Sequence, residues 1–186
     1  MSSRNGTKVI TGEVRFSYLH VFEPYAAEVG QKAKYSVSLL IPKTDKQTIR
    51  LIQEAVAEAT DQGQMSKWGG KVPKTLKTPL RDGDAEKDTD EHPEYEGMYF
   101  INASSERQPG LVDSHKQEIF SADELKSGDY GLASINFYPF SVSGNNGIAC
   151  GLNNLMKKRD GESLGGTPVR PEADFDGEWD DDDMLN

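Results

Sequence analysis

The chain has 186 residues, of which 35% are hydrophobic, and a formal net charge of −10. That length suits one domain with extensions, and no apolar run approaches the roughly 20 residues that span a bilayer. One cysteine, Cys150, excludes an internal disulfide; residues 1–10 lack the charged-then-apolar build of a signal peptide, and together these features fit a reducing cytoplasm.

Along the chain, residues 9–22 alternate, with Val14, Phe16 and Tyr18 set against Glu13, Arg15 and Ser17. This is the period of a half-buried strand, and Glu23-Pro24 breaks it. Residues 35–41 repeat the pattern with Tyr35, Val37, Leu39 and Ile41 on one face, and Pro42 ends the run. Thr44 as N-cap and Gln47 three residues on predict a capping box. Ile49, Ile52, Val56 and Ala59 give the following helix one apolar face, with Gly63 as its stop. Residues 64–96 are polar and punctuated by Gly and Pro, a long insertion of the kind that is functional or disordered in compact domains. Residues 98–103 predict a mostly buried strand and 111–119 a short hairpin arm. Ser121 with Glu124 predicts a second capping box, opening a helical turn that stops at Gly128. Residues 130–140 form a long aromatic strand and 148–155 the last one, joined by a hairpin turn at Gly144-Asn145-Asn146-Gly147. From Arg159 onward Gly, Pro and Asp dominate, so residues 160–186 read as linker and disordered acidic tail. The sum is a mainly β fold: an OB-like antiparallel barrel over residues 1–159, with one helix and the 64–96 insertion. A β-barrel of different topology is the structural rival.

The negative charge is unevenly placed. Residues 171–186 carry eight acids and no base, and residues 81–96 carry eight more against Arg81 and Lys87. Residues 1–80 hold twelve Lys/Arg and seven Asp/Glu. Phosphates respond to local fields, so a basic half with segregated acids still suits nucleic acid.

Four groups of residues could carry chemistry. Lys67, Trp68, Lys71, Lys74 and Lys77, continuing to Arg81, mix cations with an aromatic on a Gly-bearing loop. Single-strand binders need that mixture: cations track phosphates while an aromatic face stacks a base. The competing reading of Trp68 is a ring that closes one barrel end. Tyr99-Phe100 and Phe137-Tyr138 are neighbouring aromatics on strands, so one of each pair faces outward; Tyr99 and Tyr138 are the candidate stacking rings, and Arg107 a candidate phosphate contact. The tail sets Phe175, Trp179, Met184 and Leu185 among Asp174, Asp176, Glu178, Asp180, Asp181, Asp182 and Asp183. A purely solubilising tail gains nothing from those apolar residues, which fits docking on a partner or competition with DNA for the protein's own groove. The acids Asp82, Asp84, Glu86, Asp88, Asp90 and Glu91 lack the glycine and terminal glutamate of a calcium loop. His20, His92 and His115 have no zinc spacing, and Cys150 lies in an apolar strand. No metal, cofactor or catalytic residue is expected, and no P-loop or nucleotide fingerprint is present.

Several runs, in one order, resemble a known group. They are Val14-Arg15-Phe16-Ser17-Tyr18 with Val21-Phe22-Glu23-Pro24, the stretch from Lys34 to Lys43, Pro79-Leu80-Arg81-Asp82-Gly83-Asp84, Tyr99-Phe100-Ile101-Asn102-Ala103, Ser134-Ile135-Asn136-Phe137-Tyr138-Pro139, and Gly147-Ile148-Ala149-Cys150-Gly151-Leu152-Asn153-Asn154. The resemblance is to single-stranded-DNA-binding proteins of tailed bacteriophages, first catalogued as a domain of unknown function, and it covers about residues 8–166. It implies an OB-fold, sequence-independent binding of single-stranded DNA in phage replication or recombination, and work in the cytoplasm of the infected bacterium. Replication or recombination proteins are the partners the tail would recruit. The tail resembles those of other single-strand binders but ends in Met184-Leu185-Asn186 rather than an aromatic. A protein-interaction module that never touches DNA is the alternative reading, and a metal-dependent nuclease using the 82–91 carboxylates is a third.

Overall fold

The computed structural model of the protein describes residues 1–164. Its elements are β1 (Ser3–Asn5), β2 (Lys8–Ile10), β3 (Val14–Tyr25), β4 (Lys34–Pro42), α1 (Lys46–Ser66), β5 (Arg81–Asp82), α2 (Gly83–Glu86), β6 (Met98–Ser105), β7 (Gly110–Val112), β8 (Tyr130–Val142) and β9 (Asn145–Arg159). No helix among the described residues is long and apolar enough to cross a membrane.

Five strands close a ring. β3 pairs antiparallel with β4 and β8, β4 with β6, and β8 with β9. The ring is completed where β6 and β9 meet in parallel, Ser104 beside Gly151. The circuit β3-β4-β6-β9-β8 is an OB-like ring, joined by short pairings where β3 meets β8 and where β6 meets β9. Inward side chains alternate as the sequence predicts: Phe16, Val37, Leu39, Ile41, Ile101, Ala103, Ile135, Phe137, Cys150 and Leu152 all belong to one buried core. Burial pushes the Cys150 thiol pKa upward, in keeping with an inert core residue. Helix α1 adds Ile49, Ile52, Ala55 and Ala59 to that core.

Several local expectations shift by a few residues. The run 9–22 is two strands, β2 and β3, parted at residues 11–13. The N-cap of α1 is Asp45, whose carboxylate accepts from Thr48 N at 3.1 Å, in place of Thr44. The helix passes through Gly63 to Ser66. Gly63 is required for another reason: a Cβ there would lie 2.6 Å from the Trp68 ring and 2.7 Å from Pro139. The β8–β9 turn is Ser143-Gly144, both with positive φ (50° and 80°), as a two-residue type I′ hairpin demands. The 111–119 arm forms as expected, with Ile119 N donating to Leu111 O at 2.8 Å.

The insertion is folded back onto the barrel. Lys77 is laced to the start of β9, its N–H donating to Asn146 O at 3.0 Å and its carbonyl accepting from Ile148 N at 2.9 Å. Further along, Tyr95 (1% exposed) packs with Leu40 and Phe100, two residues on the outer face of the barrel, to make a second, smaller core. Three acids of the 82–91 run are engaged: Lys43 Nζ bridges Asp82 (2.6 Å) and Asp84 (2.7 Å), and Arg81 holds Glu86 at 2.7 Å. Hydrogen bonds from Lys43 hold both aspartates below the usual carboxylate range.

The expected linker start falls at the end of β9, yet residues 160–164 still pack. Buried Asp129 accepts from Gly161 N at 3.1 Å and from Lys126 Nζ at 2.7 Å. Leu164 N donates to Ser127 O, and the Leu164 side chain joins the Tyr95 cluster.

Candidate nucleic-acid interface

The outer faces of β3, β4 and β6 carry small polar residues in register. Ser17, Ser38 and Asn102 form one row across the three strands, and His20, Ser36 and Ser104 form the next. Small side chains on a sheet face leave space, and here Ser36, Ser38 and Asn102 lie along a cleft of about 770 Å³. The β3–β4 loop flanks one side, and Lys87 and Tyr95 of the insertion flank the other. In OB barrels this same face, with its bordering loops, is where oligonucleotides lie.

Aromatic rings stand over the floor. Tyr18 was expected on the core face with Val14 and Phe16. It is instead 52% exposed, because the β3–β4 register shifts between Ser17 and His20. A bulge bends the strand and re-aims a side chain, and Tyr18 adopts φ 47° to make the turn. Val21 then returns to the core at 0% exposure. Beyond the bulge, the His20 and Tyr25 rings stack at 4.1 Å and 8°. Burial lowers the His20 pKa, which favours the neutral ring near pH 7. Cations line the same cleft: Lys32 and Lys34 at the entrance of β4 and Lys87 across from them. Lys32 is paired with Glu106 at 2.9 Å, and that hydrogen bond keeps the Glu106 carboxylate pKa low.

Among the described residues, those expected from sequence fall into three groups together with Trp68, none lining the cleft itself. Arg107 and Tyr138 stand off the end of β6 and on the outer face of β8; Tyr138 is 41% exposed, and burial together with the nearby Cys150 and Glu106 raises its pKa. Lys67, Lys71, Lys74 and Lys77 are exposed on the loop that Lys77 ties to β9. Arg81 and Tyr99 lie at the start of β6, where Arg81 serves Glu86 and covers the Phe100 ring at 4.8 Å, while Tyr99 packs on the main core beneath Lys43. Trp68 is half-buried, its indole N–H donating to Phe140 O at 3.2 Å. Trp68→Ala should therefore lower stability by about 3 kcal/mol, read as a fall in melting temperature, with a smaller effect on any ligand. The tail residues Asp174, Phe175, Asp176, Glu178, Trp179, Asp180 to Asp183, Met184 and Leu185 lie outside the described residues.

Sequence reasoning passed over Tyr18, His20, Tyr25, Lys32, Lys34 and Lys87. A legible signal was the serine alternation Ser36 and Ser38 directly after Lys32 and Lys34, a polar sheet face with cations at its entrance. Among the described residues no group of three His, Cys, Asp or Glu side chains could hold a metal ion.

Comparison with known proteins agrees with the fold. A family model described as Enterobacter phage Enc34, ssDNA-binding protein, matches residues 7–185. Putative protein p50 of Acyrthosiphon pisum secondary endosymbiont phage 1 is 26% identical over 179 residues, 91% of this chain and 92% of that protein. Among solved structures, the single-stranded DNA-binding protein of bacteriophage Enc34 in complex with ssDNA aligns with a TM-score of 0.74 and 28% identity, covering 86% of this chain and 90% of the other. The single-stranded DNA binding protein gp2.5 of bacteriophage T7 aligns with a TM-score of 0.60 over 94% of both chains at 13% identity, a likeness of fold alone.

Proposed function

Because this chain belongs to the family of the Enterobacter phage Enc34 ssDNA-binding protein, we propose that its cleft holds single-stranded DNA without sequence selection, as a non-catalytic coat during phage DNA replication or recombination in the infected cell. One observation carries the reading: exposed Tyr18 and the stacked His20–Tyr25 pair stand over a polar floor edged by Lys32, Lys34 and Lys87. Bases stack on the rings while lysines follow the phosphates. Arg107 and Tyr138 then extend the track past the end of β6, and Lys67, Lys71, Lys74 and Lys77 extend it along the β8–β9 hairpin. Arg81 covers the Phe100 ring behind Tyr95 and Tyr99 packs beneath Lys43, while Trp68 anchors the lysine loop to β8. A nuclease reading is disfavoured because Asp82, Asp84 and Glu86 are spent on Lys43 and Arg81.

The tail regulates this site in the proposed scheme. Leu164 lines a second hollow that shares Tyr18 and His20 with the cleft, and Glu172 follows only eight residues later. That length of chain reaches at most about 28 Å, enough to bring carboxylates to the lysines of the same molecule. Partner recruitment through the tail's aromatics and terminal Met184-Leu185 is the accompanying role.

A gel shift with a labelled oligonucleotide, with and without magnesium, tests the reading. An intact retarded strand supports it, no shift favours a protein-interaction module, and a shortened strand favours a nuclease. Affinity should fall with salt at a log–log slope of about −0.7 per neutralised phosphate. Deleting residues 171–186 should tighten binding several-fold at low salt, measured by fluorescence titration with poly-dT; unchanged affinity would remove the competition role.

A further inference from the structure

A carboxylate stands where the DNA track calls for cations. Glu106 directly follows β6, and its Oε1 accepts from Lys32 Nζ of the cleft at 2.9 Å. Tyr35 faces Ser105 in register, which sets Glu106 one step further on, within reach of the Lys34 charge. Lys34 in turn faces Tyr25, whose ring stacks on His20. On its other side the Glu106 charge is felt by Tyr138, and Arg107 is the next residue. The carboxylate therefore sits where the cleft passes into the Arg107–Tyr138 extension. Its loop is anchored: Arg107 N donates to Ser105 Oγ and Gln108 Nε2 to Val21 O, each at 3.1 Å. Stability does not account for the ion pair. The Lys32 and Glu106 side chains are 69% and 62% exposed, and pairs so open to water add little to a fold.

Resting on the DNA-binding reading above, we propose that Glu106 is a built-in competitor for the strand: it occupies Lys32 in the free protein and is displaced when a phosphate takes that ammonium over. A phosphate brought to Lys32 meets like-charge repulsion from the carboxylate, and the repulsion is relieved when the exposed Glu106 side chain swings out to water. The Lys32–phosphate contact is thus an exchange of partners and not a new ion pair. Such a contact is weaker than one made by an unpaired lysine. It is also less sensitive to salt, because ions screen the competing bridge as well as the phosphate. Glu106 so tempers the grip on the strand at one point without touching the stacking rings.

The test is titration of the full-length protein with oligo-dT over a series of salt concentrations. Glu106→Gln should bind about two- to five-fold more tightly than the parent at low salt, the effect of releasing one exposed ion pair. Its affinity should fall more steeply with salt, so that the two curves converge toward about 1 M, where the Debye length is about 3 Å. Asp123→Asn removes one exposed carboxylate that does not line the cleft; it should bind like the parent, which controls for net charge. A double-mutant cycle reads the exchange itself: Lys32→Ala should cost several-fold more affinity in the Glu106→Gln background than in the parent. The melting temperature of Glu106→Gln should match that of the parent. Parent-like binding by Glu106→Gln overturns the competitor while leaving the DNA-binding reading intact, as does a gain of the same size whether or not Lys32 is present. No binding of oligo-dT by the parent overturns both.

Discussion

Tyr18→Ala is expected to weaken single-stranded DNA binding by about ten-fold or more while leaving the melting temperature nearly unchanged. A base stacked on an aromatic side chain contributes about 1–3 kcal/mol, and Tyr18 is the ring that the backbone is bent to present. Its φ of 47° is unusual for a bulky residue, and strain of that kind costs on the order of 1 kcal/mol where it persists. The side chain gives little back to the fold, being 52% exposed. Removing it therefore takes away a stacking face without opening a cavity in the core. Tyr18→Phe keeps the face and should bind like the parent. Titration with poly-dT, followed by the fluorescence of the two tryptophans, reads both variants. Parent-like affinity of Tyr18→Ala would move the binding track out of this cleft and toward the Lys67–Lys77 loop.

Asp129→Ala should produce the largest loss of stability outside the hydrophobic core, about 3 kcal/mol or more. The side chain is fully buried. It accepts from Lys126 N and Nζ and from Gly161 N, with Lys157 Nζ at 3.4 Å. Breaking such a buried charged network leaves donors and cations without their partner. The loss should also release residues 160–164, because Asp129 ties Gly161 down just before Leu164 enters the Tyr95 cluster. Burial on its own would raise the Asp129 pKa, but hydrogen bonds from Lys126 and Gly161 and the charge of Lys157 outweigh it and set the carboxyl below its ordinary value. A depressed native pKa stabilises the fold above the unfolded-state value, and the contribution is lost as pH falls through the native one. Melting temperature measured from pH 7 down to pH 3 should thus fall less steeply in Asp129→Ala than in the parent. Curves that stay parallel over that range would show that Asp129 does not carry the acid sensitivity.

What the sequence determined by itself is the order and kind of the elements. Alternation in 35–41, aromatic spacing in 130–140 and the apolar face at Ile49, Ile52 and Ala59 are local signals, produced by one strand or helix having one buried side. They were enough for an OB-like barrel with a single helix, and the several runs in one order from Val14 to Asn154 were enough for the phage family.

The tertiary structure decided where the site lies. Tyr18 reads as a core residue by parity, and only the register shift against β4 turns it outward, since a bulge depends on the partner strand. Tyr99 reads as the outward ring of its pair and Phe100 as the inner one; the structure packs Tyr99 on the main core and turns Phe100 out beside Leu40, and only the returning insertion covers those two with Tyr95. Lys87 reads as one base lost among acids until that same return carries it to the cleft. Trp68 reads equally as a stacking ring or as a ring that closes one barrel end until Gly63, in the helix before it, and Phe140, far along the chain, occupy its face and its N–H. Each of these depends on contacts between segments distant in sequence, which alternation and composition, being properties of neighbours, do not encode.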